Sequence, residues 1–482
     1  MEADFNTSVS VPLELIDGKE TFPLKLSGME QFWLWDDSPE YPKRFRIAMR
    51  FVGTIDWNLW NEAIRSAAAR HPLLLAHLEH GGWVLPNSPK IFTGWNKGDF
   101  ETSPFPEAWD LGIESGMRLW GGIERSENIG IESGISNALD EQPFLFVLEC
   151  HHAVCDGLGI RQFLAEWFLI YDQLIAGSDT KVKLVRLDAS LLAKRGEIRR
   201  KLINKELPRQ RFWEPLKLAL GFLLCSPNRL QPHLQTRNSK PRYGLHHFRM
   251  KILSPAETAA ALDPQNDCLA NFNDVAVAAM LKTVHDWNHD TGRRPFSVLG
   301  TRTLRFRVMI PTDLRSLQDM RMPAANRIGF GFAVADSLAC ISPSRLLKSV
   351  AGQTLGMHRF GLGWDFPEIF GLLAHAPWLG KLLVKLPFRY ASAVVTNLGD
   401  VTRRHRRQVA MENLYPRCGD LKLQAIFGVP PLKRGTAIGV GLCRCGDTVA
   451  IGMTIDGRQF GSNEADELLE RYAQSIKLLS KV

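Results

Sequence analysis

The chain has 482 residues, 45% of them hydrophobic, and a formal charge of +8. With mean hydropathy near zero, that length fits a globular protein with ample core, too large for one small domain. No apolar stretch approaches a membrane span, and the N-terminus MEADFNTSVSVPLEL lacks the basic-then-apolar pattern of a secretory signal. The eight cysteines (150, 155, 225, 268, 340, 418, 443 and 445) are scattered apart from Cys443 and Cys445. Such spacing suggests reduced thiols in a cytoplasmic protein rather than a disulfide scaffold or a zinc site.

Residues 24–85 read as helix, strand, helix, strand. Met29, Phe32 and Trp33 begin a short helix. Phe45, Ile47, Met49 and Phe51 then alternate with Arg46, Ala48 and Arg50, as in a strand. Asn58 to Arg70 is helical, and Pro72 ends that helix, which makes His71 structural. Further on, Phe144 to Leu148 is a short apolar run that reads as a buried strand. After it, Leu158, Phe163, Leu164, Trp167, Phe168, Tyr171 and Leu174 recur mostly every three or four residues, which predicts an amphipathic helix ending near Gly177.

Between that strand and that helix lies His151-His152-Ala153-Val154-Cys155-Asp156-Gly157. Strand side chains alternate, so the two imidazoles are expected on opposite sides, one toward a cleft and one toward protein. Asp156 and Gly157 stand where a helix cap and a tight turn are wanted. Three other readings stand beside a catalytic one. Asp156 can be a plain cap with two satisfied core histidines; the group can be a His/His/Asp metal site; or Cys155 can be a nucleophile beside a histidine base. Adjacent strand histidines diverge and no further ligand cluster lies nearby, so no metal is assigned. An H-H-x-x-x-D-G pattern arises by chance in a chain this long about once in a thousand.

This heptapeptide resembles the motif shared by condensation domains of peptide synthetases, chloramphenicol-acetyltransferase-like enzymes, alcohol acyltransferases and wax ester synthases. The resemblance implies an α/β fold of two lobes, each a mixed sheet with helices, with an active-site tunnel between them. It implies lobes at 1–190 and 246–482, joined by a basic segment at 191–245. His152 matches the family's catalytic base and Asp156 its structural partner, with His151 and Gly157 completing the motif. The opening element order, the Arg70-His71-Pro72-x-Leu74 phrase and Asp110 to Leu119 also look like the family's first lobe.

Residues 193–251 hold fifteen Lys and Arg against three Asp and Glu, a net of +12 that leaves −4 for the rest of the chain. With Trp213 and the mostly apolar run Leu216 to Leu224, this segment is either a solvated linker or a surface that attracts anionic membrane, an acidic carrier protein or coenzyme A phosphates. No recognised motif for nucleic acid accompanies the charge. The second lobe opens around Leu245 to Leu253, and Asn273 starts a helix through His285. Phe306 to Ile310 is a strand leading into Pro311-Thr312-Asp313-Leu314-Arg315, and Asn326-Arg327-Ile328-Gly329-Phe330 follows. Both phrases resemble the family's strand ends at the lobe interface, and Arg315 is the candidate partner of Asp156; an exposed turn arginine is the alternative.

Ala391 to Val395 is another strand, ending in Thr396-Asn397-Leu398-Gly399, which matches a family phrase near the tunnel. Asn397 and Thr396 are therefore candidates for substrate or oxyanion contact, against a plain turn asparagine. Arg403, Arg404, Arg406 and Arg407 form a hydrophilic run, either a solvated loop or a contact for donor phosphates. Strands at Ala437–Leu442 and Val449–Ile455 and a helix from Asn463 to Leu479 close the chain.

Two departures bear on the subfamily. The D-F-G-W-G phrase of plant-type relatives is replaced by Gly363-Trp364-Asp365-Phe366, and the G-P ending typical of wax ester synthases is missing after Leu398. The broad resemblance is to a stand-alone acyltransferase, alcohol-acyltransferase-like or wax-ester-synthase-like. Both departures count against those subfamilies, and a stand-alone bacterial-type acyltransferase without the carrier or adenylation parts of a synthetase is expected. The resemblance implies transfer of an acyl group from acyl-CoA or a phosphopantetheine thioester, used as co-substrate with no permanently bound cofactor. The acceptor would be a small alcohol or amine, giving an ester or amide of a lipid or secondary metabolite. A monomer is expected, with an acyl carrier protein and peripheral membrane contact as candidate partners. The alternative from another class is a condensation-like binding module without catalysis.

Overall fold

The computed structural model describes residues 6–95, 103–123, 143–177, 184–197, 226–233, 246–264, 269–291, 305–386, 389–401 and 408–482. In chain order the first half carries strands β1 (Asn6–Ser10) and β2 (Leu24–Lys25), helix α1 (Gly28–Asp36), β3 (Arg44–Val52) and α2 (Trp57–Ala69). It continues with β4 (His77–Glu79), β5 (Gly82–Val84), β6 (Lys90–Trp95), β7 (Met117–Ile123), β8 (Pro143–His151) and α3 (Gly157–Ala176). The second half carries β9 (His246–Ile252), α4 (Pro255–Leu262), α5 (Phe272–Asp290), β10 (Arg305–Asp313), β11 (Ile328–Asp336), α6 (Ser337–Ile341) and α7 (Pro343–Phe360). Helices α8 (Asp365–Leu373) and α9 (Pro377–Lys385) precede β12 (Ala393–Asp400), β13 (Ala410–Glu412), β14 (Tyr415–Cys418) and β15 (Leu421–Val429). Strands β16 (Ile438–Cys445) and β17 (Thr448–Asp456) and helix α10 (Ser462–Leu479) close the chain.

These elements build two mixed sheets. The first has the order β1-β6-β7-β8-β3-β15-β14-β13 and the second β11-β10-β12-β16-β17-β9, with a small β2-β5-β4 sheet beside them. Each large sheet supports its own core. One gathers α1, α2 and α3 on the first sheet, with Trp60, Phe163 and Trp167 fully buried. The other gathers α5, α7 and α10 on the second, around Trp287, Leu346 and Tyr472. A smaller cluster of Trp120, Val147, Phe427 and Ala450 draws on both sheets. At about 1.5–3 kcal/mol per fully buried large apolar side chain, these clusters supply the main drive to fold.

Two stretches of the chain reach across the lobe boundaries expected from the sequence. Residues 410–429, assigned with the rest of 246–482 to the second lobe, form β13 to β15 in the first sheet, where β15 pairs with β3 from Lys422↔Val52 to Val429↔Arg46. Strand patterning fixes which face is buried but not which strand is the neighbour, so this crossing is invisible in the pattern. Arg195, placed in a basic connecting segment, is buried and donates to both carboxylate oxygens of Glu30 at 2.6 and 2.7 Å. Leu230, in the same segment, belongs to the second core. Most of that segment, including Trp213 and Leu216 to Leu224, lies outside the described residues. Among the described residues, no helix is long and apolar enough to cross a membrane.

Candidate active site

Strand β8 pairs with β3 along its whole length, which puts His151 opposite Arg44 and delivers the heptapeptide to the end of the two central strands. Backbone bonds then shape the turn: His151 N–H donates to Gly116 O (3.0 Å) and His152 N–H to Lys43 O (2.7 Å). The Ala153 N–H donates to His151 Nδ1 at 3.2 Å, so this imidazole braces its own loop. Its Nε2 lies 3.8 Å from Asp37, and Trp109 stands edge-on to the ring. Asp156 caps α3 by accepting the Gly159 N–H at 2.8 Å, and the helix ends at Gly177 in a positive-φ conformation. A side chain at Gly159 would meet Cys155 Sγ at 2.4 Å and Ala325 O at 3.0 Å, so this first helical turn needs a glycine to pass the second lobe.

The His152 ring lies on the other side. It stacks on Trp33, with centroids 4.1 Å apart and planes 8° from parallel, and Phe45 closes in at 5.0 Å. Its Nδ1 is buried without a hydrogen-bond partner. Burial between aromatic rings lowers its pKa to about 4, against the opposing pull of the Asp156 charge, and holds the ring neutral at pH 7. Asn326 donates its side-chain amide to the His152 carbonyl, fixing the backbone beneath the ring.

Asp156 ties the lobes together. Arg315 Nη1 and Nη2 each donate to one of its oxygens at 3.0 Å, 159 positions along the chain. The Arg327 N–H adds a 2.7 Å bond, and Arg315 also reaches Ala325 O at 2.8 Å. Burial alone would raise the carboxyl pKa; the Arg315 charge and these donors overcome it and hold the group below its ordinary value. The Cys155 thiol is pushed up by burial, so it stays protonated and is a poor nucleophile.

A cavity of about 130 Å³ opens between the lobes. His152, Asp156 and Gly157 line it from one side and Arg315, Thr396 and Asn397 from the other. The cavity exists because β10 pairs with β12 only at Val308 and Met309, so the two strands part beyond them. Asn397 is partly committed to its own turn: its Oδ1 accepts the Gly399 N–H at 2.9 Å, at a bulge in β12. Behind the Trp33 ring lies a narrower cavity of about 30 Å³, walled by Phe32, Phe330, Phe366 and Tyr390. Asp36, also on its wall, is paired with Lys433 and stands 3.5 Å from the buried Lys43. Arg403, Arg404, Arg406 and Arg407 lie outside the described residues.

Sequence reasoning therefore brought His152, Asp156, Gly157, Arg315, Thr396 and Asn397 to one cavity, with His151 turned into protein. It missed the stack of Trp33 on His152, for which an aromatic residue on α1 was the sole signal. It also missed what Asn326 and Arg327 donate to the motif loop, although it placed their phrase at the lobe interface.

No family model matches this sequence. Nor does any curated protein. Solved structures do match over the whole fold. The TRI3 trichothecene 15-O-acetyltransferase from Fusarium sporotrichioides superposes with a TM-score of 0.64 at 13% identity, over 95% of this chain and 95% of that one. The starter condensation domain of rhizomide synthetase, solved with C8-CoA and Leu-SNAC, gives 0.59 at 13% identity, over 96% and 95%. Polyketide synthase associated protein 5 from Mycobacterium tuberculosis gives 0.52 at 14% identity, over 95% and 98%. The chain thus has the two-lobed α/β fold of condensation domains and chloramphenicol-acetyltransferase-like proteins. At these identities the likeness is one of fold.

Proposed function

We propose that this protein is an acyltransferase that moves an acyl group from a thioester, acyl-CoA or a carrier-bound phosphopantetheine, to the hydroxyl or amine of a small acceptor. The observation that carries the proposal is His152: neutral, rigidly stacked, and on the wall of an inter-lobe cavity beside a braced carboxylate. A neutral imidazole accepts the acceptor's proton as its oxygen or nitrogen attacks the thioester carbonyl. The C–S bond then breaks, and the proton passes from His152 to the leaving thiolate, so no acyl-enzyme forms. Asp156 is committed to Arg315, Arg327 and Gly159, and acts by holding the loop. The oxyanion is assigned to the Gly157 N–H at the N-terminus of α3 and the Asn397 side-chain amide, since Asn397 Oδ1 is occupied by the Gly399 N–H. Two substrates held in one cleft supply the orientation.

The two cavities on either side of the Trp33–His152 stack support separate approaches for donor and acceptor. The test is release of free thiol from acyl-CoA donors, followed with a thiol reagent against a panel of alcohols and amines. His152→Ala is expected to lose about 10²- to 10⁴-fold in turnover with an unchanged circular dichroism spectrum. Acceptor-dependent thiol release that survives in folded His152→Ala overturns the assignment. Ligand binding with no thiol release from any donor points instead to a binding module.

A further inference from the structure

Helices α8 and α9 have two unlike faces. Inward, Phe366 and Phe370 pack on Phe32 of α1 at ring distances of 5.2 and 4.4 Å. A side chain at Gly380 would run into the Trp35 ring at 2.2 Å, and one at Gly28 would strike the Gly371 backbone at 2.6 Å. The pair is thus seated hard against α1, the helix that carries Trp33, and Phe366 walls the cavity behind that ring. Outward, α9 presents Trp378, Lys381, Leu382 and Lys385, all exposed and spaced three or four residues apart, so they share one face. Trp378 is 71% exposed and Leu382 53%, and Leu372 on α8 is 68% exposed.

A large indole left in water is unfavourable unless something covers it. The charge around it says what does. Helix α9 carries no acidic residue, and both its charged residues are lysines standing beside the apolar ones, while the two carboxylates of α8, Asp365 and Glu368, are buried and half-buried. Tryptophan and leucine at one level, with lysines able to extend their ammonium groups outward, is the composition of a helix lying in a lipid headgroup layer. We infer that the outer face of α8 and α9 docks on an anionic bilayer, with Trp378, Leu382 and Leu372 entering the interface and Lys381 and Lys385 meeting lipid phosphates. Because Phe366, on the inner face of α8, walls the narrow cavity, docking would place that cavity near the membrane. In that position an apolar acceptor enters from lipid, a consequence that rests on the proposed acyl transfer. The docking itself does not.

Co-sedimentation of the full-length protein with vesicles tests it without any turnover. Vesicles of equal parts phosphatidylserine and phosphatidylcholine should bind the protein at low salt, and pure phosphatidylcholine vesicles far less. Lys381→Gln with Lys385→Gln should weaken binding about thirtyfold, at about fivefold per lysine. Trp378→Ser and Leu382→Ser should each weaken it on the order of tenfold. All four positions are exposed, so the melting temperature and the turnover of a water-soluble substrate should stay unchanged. The inference fails if anionic vesicles are ignored at low salt, or if binding is indifferent to all four substitutions. It fails equally if the same residues retain a purified acidic acyl carrier protein while vesicles are ignored, since the face would then be a protein dock. Each of these failures leaves the thiol-release result for acyl transfer standing.

Discussion

Arg315→Ala probes the tie between the lobes most directly. Asp156 is 2% exposed, and its two oxygens receive four donors: two guanidinium N–H groups at 3.0 Å, the Arg327 N–H at 2.7 Å and the Gly159 N–H at 2.8 Å. Removing the guanidinium leaves a buried carboxylate with two backbone donors. Breaking a buried pair from one side costs about 3–5 kcal/mol. The Arg315 side chain keeps 16% exposure, so water can enter where it stood, and the expected loss lies at the lower end, about 3 kcal/mol. Adding Asp156→Asn removes the orphaned charge, so the double variant should recover about 1–3 kcal/mol relative to the sum of the singles. Urea unfolding followed by tryptophan fluorescence at pH 7 measures all three. The folded pKa of Asp156 lies below its ordinary 3.8, so the pair's contribution is whole above that value and is lost as pH falls through the folded pKa. The gap between wild type and Arg315→Ala should close accordingly in acid. Strict additivity in the double variant, or a loss below about 1 kcal/mol in Arg315→Ala, refutes the brace.

The His152 environment predicts a second pH effect of the same sign. Its pKa falls from 6.5 to about 4 on folding, so the unfolded chain binds the extra proton between those values and stability drops as pH is lowered through them, by about 3 kcal/mol for this group. His246 is lowered to about 4 as well, so the measurement is the difference between wild type and His152→Gln unfolding curves at pH 7 and pH 4.5. For the same reason the acid limb of kcat/KM should lie below pH 6.5, and a limb above it counts against a buried neutral base. Trp33→Ala should cost about 3–5 kcal/mol and, by admitting water to the imidazole, shift that acid limb upward, whereas Trp33→Phe should retain most of both properties.

Much of the site was legible because its specification is local. A buried strand, a capping aspartate and an amphipathic helix place the His152 turn at a strand end with no knowledge of the rest of the chain. Arg315 was legible for a different reason: a strand ending in a polar phrase can present a cation to a cleft, and the resemblance said which cleft. Trp33 was not legible, since an aromatic residue on a short helix reads the same whether it faces the core or the His152 ring. Nor was the pairing of β15 with β3, because alternation names a face and never a partner. Asn397 shows a mixed outcome: the turn reading describes its Oδ1, and the cavity reading describes its position.

These long-range contacts share one consequence. The ladder between β15 and β3, the Asp156–Arg315 pair, the Asn326 amide on the His152 carbonyl and the Ala324 N–H on His71 Nδ1 (2.9 Å) all join residues far apart in sequence, and the second and third of them are made by the motif loop itself. Opening the lobes at the loop would break several buried polar contacts at once, each costing about 1–3 kcal/mol when left unpaired. Parting the lobes at the loop is therefore costly. That fits a neutral imidazole, because a site that opened fully to water would hydrate His152 and return its pKa toward 6.5. The brace and the buried imidazole are thus one device: Asp156 and Arg315 keep the loop closed, and closure keeps the His152 ring dry.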